Sequence, residues 1–260
     1  MLQVLVLAAG EGRRLGAVAG GKPKCLLRVG GRSLIEHQLD ALEQLGVDRV
    51  SVVVGYGADQ VRSQLGDRCD YIVNRRYGET NSLYSLSLAS EYVHGAFVLV
   101  NSDVIVHPVV YRDVLSVGGS ALAFDSSSGW HAEHMKVTLD GTLLRTIGKD
   151  LSADQVDGEN VGIIYFDGTA ADLLFSATSE LIAQGAERQW APAAVGRIAS
   201  STPIEAVDIA GVPWGEIDFP EDLRDAQERV WPAIRDTVGP TCCVRCVRSS
   251  HRAPMLSAGR

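Results

Sequence analysis

The sequence predicts an α/β fold, with a mainly parallel sheet covered by helices on both faces. Three observations lead there. Short apolar runs alternate with segments of helical spacing over the first hundred residues. Those runs carry few polar residues at either pleat position, as strands covered on both sides do. The 260 residues, 46% apolar and 22% charged, suffice for one large domain or two small ones, and exclude a chain disordered throughout.

Each element follows from its local pattern. Gln3–Ala9 is rich in branched residues and ends in Gly10-Glu11-Gly12, a buried strand entering a glycine-rich turn. Ser33–Leu45 sets Leu34, Ile35, Leu39, Leu42 and Leu45 at helical spacing. Ser33 and Glu36 are placed as a capping box there, and Gly46 as a stop. Arg49–Gly55 reads as the second strand, Ala58–Leu65 as a short helix and Tyr71–Val73 as the third strand. Ser82–Tyr92 reads as a helix capped by Asn81, and Ala96–Val100 as a fourth strand ending in Asn101-Ser102-Asp103. Beyond Asp103 the alternation loosens. Ser120–Phe124, Met135–Leu139, Val161–Phe166 and Ile204–Asp208 read as strands, with turn signals at Asp140-Gly141 and Asp157-Gly158. Ala170–Gln184 and Asp222–Val230 read as helices. No Pro- or Ser-rich linker divides the chain, so one domain over residues 1–238 is expected, followed by a tail over 239–260.

The 24 basic and 32 acidic residues give a formal charge of −8. Arg245, Arg248, Arg252 and Arg260 lie in the tail, which holds no acid, so the body carries 24 − 4 = 20 basic against 32 acidic residues, or −12. A general nucleic-acid binder needs a basic surface, so no nucleic-acid partner is expected. No apolar run approaches the ~18 residues needed to cross a bilayer. No Lys or Arg precedes the first apolar run as in a signal peptide. The expectation is a cytoplasmic protein with no membrane partner. Five cysteines, Cys25, Cys69, Cys242, Cys243 and Cys246, give no disulfide framework. The last three with His251 lack the paired spacing of structural zinc sites, and the tail reads as a disordered Arg- and Cys-bearing extension. An acidic body that binds polyphosphate needs a metal and a local basic cluster.

The strongest motif runs from Leu7 to Gly16 (LAAGEGRRLG) and continues in Gly21-Lys22-Pro23-Lys24. Glycines after a buried strand let main-chain N–H groups approach phosphate oxygens. Arg13, Arg14, Lys22 and Lys24 bring positive charge to the same end of the sheet. The spacing fits neither the dinucleotide fingerprint nor the G-x-x-x-x-G-K-[ST] loop. Asp103 closes a buried strand, where side chains in open α/β sheets face the binding crevice, and a carboxylate there suits Mg²⁺. A turn residue after a strand is its plain structural reading. The six histidines show no H-E-x-x-H spacing, and no G-x-S-x-G is present.

L-A-A-G-x-G-x-R-L-G, then K-P-K, then a strand ending in Asp resembles the nucleotidyltransferase superfamily that activates sugar phosphates and phosphocholine with NTPs. The resemblance runs to about residue 231. It implies a Rossmann-like, three-layer αβα sandwich with a mainly parallel mixed sheet, of the nucleotide-diphospho-sugar transferase type. It also implies that Leu7, Ala8, Ala9, Gly10, Glu11 and Gly12 wrap the nucleotide together with Ser102, and that Arg13 and Lys24 neutralise its phosphates. Trp214–Leu223 (WGEIDFPEDL) resembles the family's W-x-E-I-D-x-P-E-D-L segment. By that likeness Asp218 and Asp103 hold Mg²⁺, with Glu216 at the substrate. Glu221 and Asp222 read instead as acids at a helix N-terminus. Asn74–Leu86 resembles the N-x-x-Y-x-x-x-N-S-x-Y-S-L stretch of cytidylyltransferases for phosphocholine and related phosphonates. That places Thr80, Asn81 and Ser82 near the base, with Tyr56 opposite. E-x-M-K-V from Glu133 and G-E-x-x-G-I from Gly158 are similar to the same group. They put Lys136 on the acceptor phosphate or phosphonate and Glu159 at its other end. A carboxylate beside Trp130, Trp190 or Trp214 would suit an amine or quaternary ammonium, by charge and cation–π attraction.

The expected enzyme transfers CMP from CTP to a small phosphate or phosphonate acceptor, such as phosphocholine or 2-aminoethylphosphonate, with Mg²⁺, and releases pyrophosphate. A sugar-1-phosphate nucleotidylyltransferase would share the loop, lysine and aspartate. A non-catalytic nucleotide-binding regulator would share the fold alone. A dehydrogenase is the weakest alternative, and a homodimer stays open.

Overall fold

The computed structural model describes residues 2–47, 49–129 and 133–238. The expectations for Trp130 and for the tail lie outside the described residues. In chain order the elements begin with β1 (Gln3–Ala8), β2 (Arg28–Val29), β3 (Arg32–Ser33), α1 (Leu34–Gln44), β4 (Arg49–Val54) and α2 (Ala58–Leu65). They continue through β5 (Asp70–Val73), α3 (Ser82–Ala89), β6 (Phe97–Asn101), β7 (Val104–Val106), α4 (Val109–Ser116) and β8 (Ala121–Asp125). Then follow β9 (Lys136–Asp140), β10 (Leu143–Gly148), β11 (Gly158–Phe166), α5 (Gly168–Ala183) and α6 (Pro192–Ala199). The described chain closes with β12 (Glu205–Asp208), β13 (Trp214–Glu216), α7 (Pro220–Asp225) and α8 (Trp231–Val238).

The main sheet has the order β5-β4-β1-β6-β11-β8-β12-β10-β9. Its first four strands are parallel. β11 runs the other way between β6 and β8, and β12 is again parallel to β8. The mixed, mainly parallel sheet is therefore the one expected, and β11 begins on the rim where β1 and β6 end. Pleating sends Leu5 and Leu7 to one face, where they pack with Leu83 and Leu86 of α3 and Leu174 of α5. Val4 and Val6 go to the other, against Leu39 of α1, Val61 of α2 and Val110 of α4. Helices on both faces make the three layers.

Local chemistry sets the boundaries. Ser33 Oγ accepts the Glu36 N–H at 3.4 Å, and the Glu36 carboxylate accepts the Ser33 N–H at 2.8 Å, which is the expected capping box. α3 stops at Ala89, short of Tyr92. There the Ser87 and Ser90 hydroxyls donate back to the carbonyls of Tyr84 and Ser87, satisfying the last turn. The final helix is α7, then a π-turn over Ala226–Val230, then α8.

α8 docks on the β2–β3 turn through Trp231. A Cβ added to Gly30, at φ +59°, would sit 1.9 Å from the indole Nε1, whereas one on Gly31, at φ +88°, would meet nothing within 4 Å. Gly31→Ala should cost only the left-handed penalty, about 1–2 kcal/mol. Gly30→Ala should add the overpacking term, about 1–3 kcal/mol more. Urea unfolding of the two variants checks this, and equal losses would contradict the Trp231 contact.

Candidate active site

A cleft of about 360 Å³ opens at the C-terminal ends of β1 and β6. Its floor is set by a short turn. Gln38 of α1 is buried, and its Nε2 donates to the carbonyls of Asn101 (2.8 Å) and Val104 (2.9 Å). That brace holds the Ser102-Asp103 turn from beneath the sheet. β7 then pairs antiparallel with β13, setting Val104 opposite Glu216, and the Ile217 N–H donates to the Asp103 carbonyl at 3.0 Å. The ribbon thus delivers Glu216 and Asp218 beside Asp103. Asp222 fixes the next step, its carboxylate accepting the N–H groups of Asp218 (2.8 Å) and Phe219 (2.7 Å), as expected for an acid at a helix start. Under the ribbon an apolar cluster of Leu15, Leu34, Ile105, Ile217 and Leu223 ties it to the segment after the glycine loop.

Lys24 enters from a 3-10 turn, Lys24–Leu26. Its Nζ donates to Asp103 Oδ2 at 2.8 Å and to Asp218 Oδ1. Arg14 takes the other Asp218 oxygen, Oδ2, at 3.0 Å, and reaches Glu133 at 3.2 Å. Burial opposes the charge on Lys24, but Asp103, Asp218 and Glu216 outweigh it and raise its ammonium above the ordinary value. Burial likewise works to raise Asp218, yet Lys24, Arg14 and Lys149 hold it below the usual carboxylate range. At Glu216 the balance is reversed: burial, and then the Asp103 charge, outweigh the pull of Lys24 and push it up to about 8.

Three carboxylates, of Asp103, Glu216 and Asp218, offer oxygens within 4.8 Å of one another. Asp103 Oδ1 is buried and has no hydrogen-bond partner among the described residues. An all-oxygen donor set with an orphaned carboxylate oxygen fits a hard divalent cation such as Mg²⁺.

The sequence-derived residues divide around this centre. Leu7, Ala8, Ala9, Gly10, Gly12 and Arg13 line the cleft from the glycine-rich side, Gly12 at φ +66°. Thr80, Asn81, Ser82, Ser102 and Trp190 line it as well. Asn81 caps α3 by accepting the Ser82 N–H, and Ser82 Oγ accepts the Ala191 N–H, so both are also structural.

Others sit elsewhere. Glu11 does not line the cleft but pairs with exposed Arg13 at 2.6 Å, and the inner cation is Arg14. The arginine of the motif L-A-A-G-x-G-x-R-L-G falls on residue 14, which was the available signal. Tyr56 is turned to the Gly21 carbonyl, where its hydroxyl donates at 3.3 Å, and Tyr77, 6.1 Å from its ring, lines the cleft instead. Lys136 and Glu159 line a second cavity of about 140 Å³ with His134. The pleat explains this separation: Asn160 faces the cleft, so its neighbour Glu159 faces away. Lys136 is buried, donating to the carbonyls of His134 (3.0 Å) and Lys149 (2.6 Å). His134 Nδ1 lies 2.9 Å from Glu159 Oε1, and the nearness of that carboxylate raises the imidazole above its ordinary value. Lys149 is a further cation in the cleft, 4.7 Å from the Trp190 ring centroid and 3.6 Å from Glu133.

This arrangement has relatives. The CMP-5'-(3-aminopropyl)phosphonate synthase of Streptomyces rubellomurinus is 30% identical over 252 residues, covering 89% of this chain and 39% of that protein. The choline-phosphate cytidylyltransferase of Streptococcus pneumoniae is 25% identical over 87% of this chain and 97% of its own. Three of the curated relatives are longer, the chain spanning only 39%, 52% and 50% of their length. The inositol-1-phosphate CTP transferase structure from T. maritima shares the fold, with a TM-score of 0.77, 23% identity and coverage of 93% of this chain and 98% of that one. Residues 4–155 match the MobA-like NTP transferase domain, and with that match the chain belongs to this nucleotidyltransferase family.

Proposed function

We propose that the chain is a cytidylyltransferase that moves CMP from CTP to a small phosphate or phosphonate acceptor and releases pyrophosphate. The observation that carries this reading is the meeting of Lys24 with Asp103 and Asp218 at the mouth of a glycine-rich loop. CTP specificity follows the relatives' names, an aminopropylphosphonate and a choline-phosphate enzyme among them. Main-chain N–H groups around Gly10 and Gly12 would approach the triphosphate, with Arg14, Lys24 and Lys149 offsetting its charge. Asp103 and Asp218, with Glu216 beside them, would hold Mg²⁺, which when bound neutralises phosphate oxygens. An acceptor oxygen attacks the α-phosphorus in line as pyrophosphate leaves. The acceptor phosphate is already anionic near neutral pH, so no general base is required. The chain's residues then act by positioning and by charge. Lys136 and Glu159 belong to the acceptor's side of the reading, in the cavity next to the cleft, and the work is done in the cytoplasm.

Asp103→Asn and Asp218→Asn should each lower CTP-dependent pyrophosphate release by ~100-fold or more, the scale of losing one preorganised electrostatic group. Phosphocholine and short aminoalkylphosphonates form the acceptor panel. Folded variants with near-normal rates would reject the assignment, and turnover only with a sugar 1-phosphate would move it to the sugar branch.

Glu216 gives a separate test on stability. Its raised carboxyl binds its proton more tightly in the folded chain than in the unfolded one. Its contribution is therefore full below pH 4.5 and is lost as pH climbs to about 8. Glu216→Gln removes that loss, so in chelator-treated buffer the variant should gain on the parent between about pH 5 and pH 9. A pH-independent difference in urea midpoint would contradict the shift.

A further inference from the structure

We propose that Lys24 is a resident counter-ion, standing in the place of the divalent cation until a nucleotide draws it away. Cation and triphosphate then load as one unit. This rests on the reading of Asp103 and Asp218 as the cation's holders.

The oxygens are the argument. Lys24 Nζ bridges Asp103 Oδ2 and Asp218 Oδ1, as a bound cation would. Arg14 engages Asp218 Oδ2. Both oxygens of Asp218 and one of Asp103 are thus already taken by side-chain cations, and Asp103 Oδ1 is the one without a hydrogen-bond partner among the described residues. A divalent ion gripped by both aspartates must share their charge with the ammonium, since every oxygen but Asp103 Oδ1 already faces a side-chain cation. Arriving alone, it leaves that ammonium close beside it, and like charges at a few ångströms repel strongly in a part-buried site. Arriving with a triphosphate, it brings the anionic oxygens to which the ammonium can turn.

The stem is placed for that swing. Lys24 Cβ and Cγ lie 3.3 and 3.7 Å from where a Gly12 Cβ would stand, so its base is packed beside the glycine loop and only its outer bonds need turn. The same loop is the phosphate side of the cleft. By linkage, nucleotide strengthens cation binding by the factor with which cation strengthens nucleotide binding.

The test is Mn²⁺ binding to the free protein, without nucleotide, read by electron paramagnetic resonance. Lys24→Met should bind Mn²⁺ at least ~10-fold tighter than the parent, a usual size for coupling between sites. Lys24→Arg, which keeps the cation, should stay at the parent's affinity. Asp103→Asn added to Lys24→Met should abolish the gain. Arg14→Ala, at an exposed position, frees one Asp218 oxygen and should tighten Mn²⁺ by ~3-fold even if Lys24→Met does not fold. Equal affinity of the parent and folded Lys24→Met overturns the counter-ion role. If the parent then still binds Mn²⁺ with CTP in a way that needs Asp103, the cation-site reading survives. If no variant binds Mn²⁺ with or without CTP, that reading fails as well.

Discussion

Three carboxylates gathered at one strand end repel one another, and the fold tolerates them because one ammonium is pressed between two of them. Lys24 meets Asp103 and Asp218 from positions 79 and 194 residues away in the chain. Much of the surrounding architecture serves that contact. Gln38 braces the turn under Asp103, the β7–β13 ribbon sets Glu216 against Val104, and Asp222 clamps the backbone at Asp218. Removing one partner would leave part-buried charge uncompensated, which costs more than an exposed pair is worth.

The sheet supplies the place where this is possible. β1 and β6 end at the rim, and the reversed β11 begins there, so loops from both directions reach one cleft. β11 lies close to β6: Gly162, at φ +80°, leaves no room for a Cβ beside Asn101, 2.7 Å from its Nδ2. That closeness keeps Asn101 and the adjoining turn against the sheet.

The parallel half of the fold was legible because strands buried on both faces make unbroken apolar runs, and Ser33 and Asn81 announced their helices by capping. The short ribbon strands were not, since Val104–Val106 and Trp214–Glu216 are only three residues each and take their structure from each other. Within the site, the residues on the glycine loop and at both aspartates carried motif signals. Arg13 and Arg14 are adjacent cations that composition alone does not separate; the motif spacing, which sets its arginine at residue 14, does so, and Glu11 draws Arg13 away. Lys136 and Glu159 carried motif signals as well, but β11 is buried along almost its whole length, so hydropathy does not show that Glu159 faces away from the cleft and into the cavity it shares with Lys136 of β9. Lys149 gains its meaning from Trp190, a neighbour that sequence spacing does not reveal.

The connection over residues 149–157, between β10 and β11, opens onto both compartments: Lys149 points to the cleft, while Ala153, Val156 and Asp157 wall the smaller cavity. The strands it joins are already zipped together through β9. Insertions or deletions in this one stretch would therefore reshape the smaller compartment while leaving sheet register and glycine loop intact, a route by which descendants of such a chain could diversify one half of a two-part site and inherit the other unchanged.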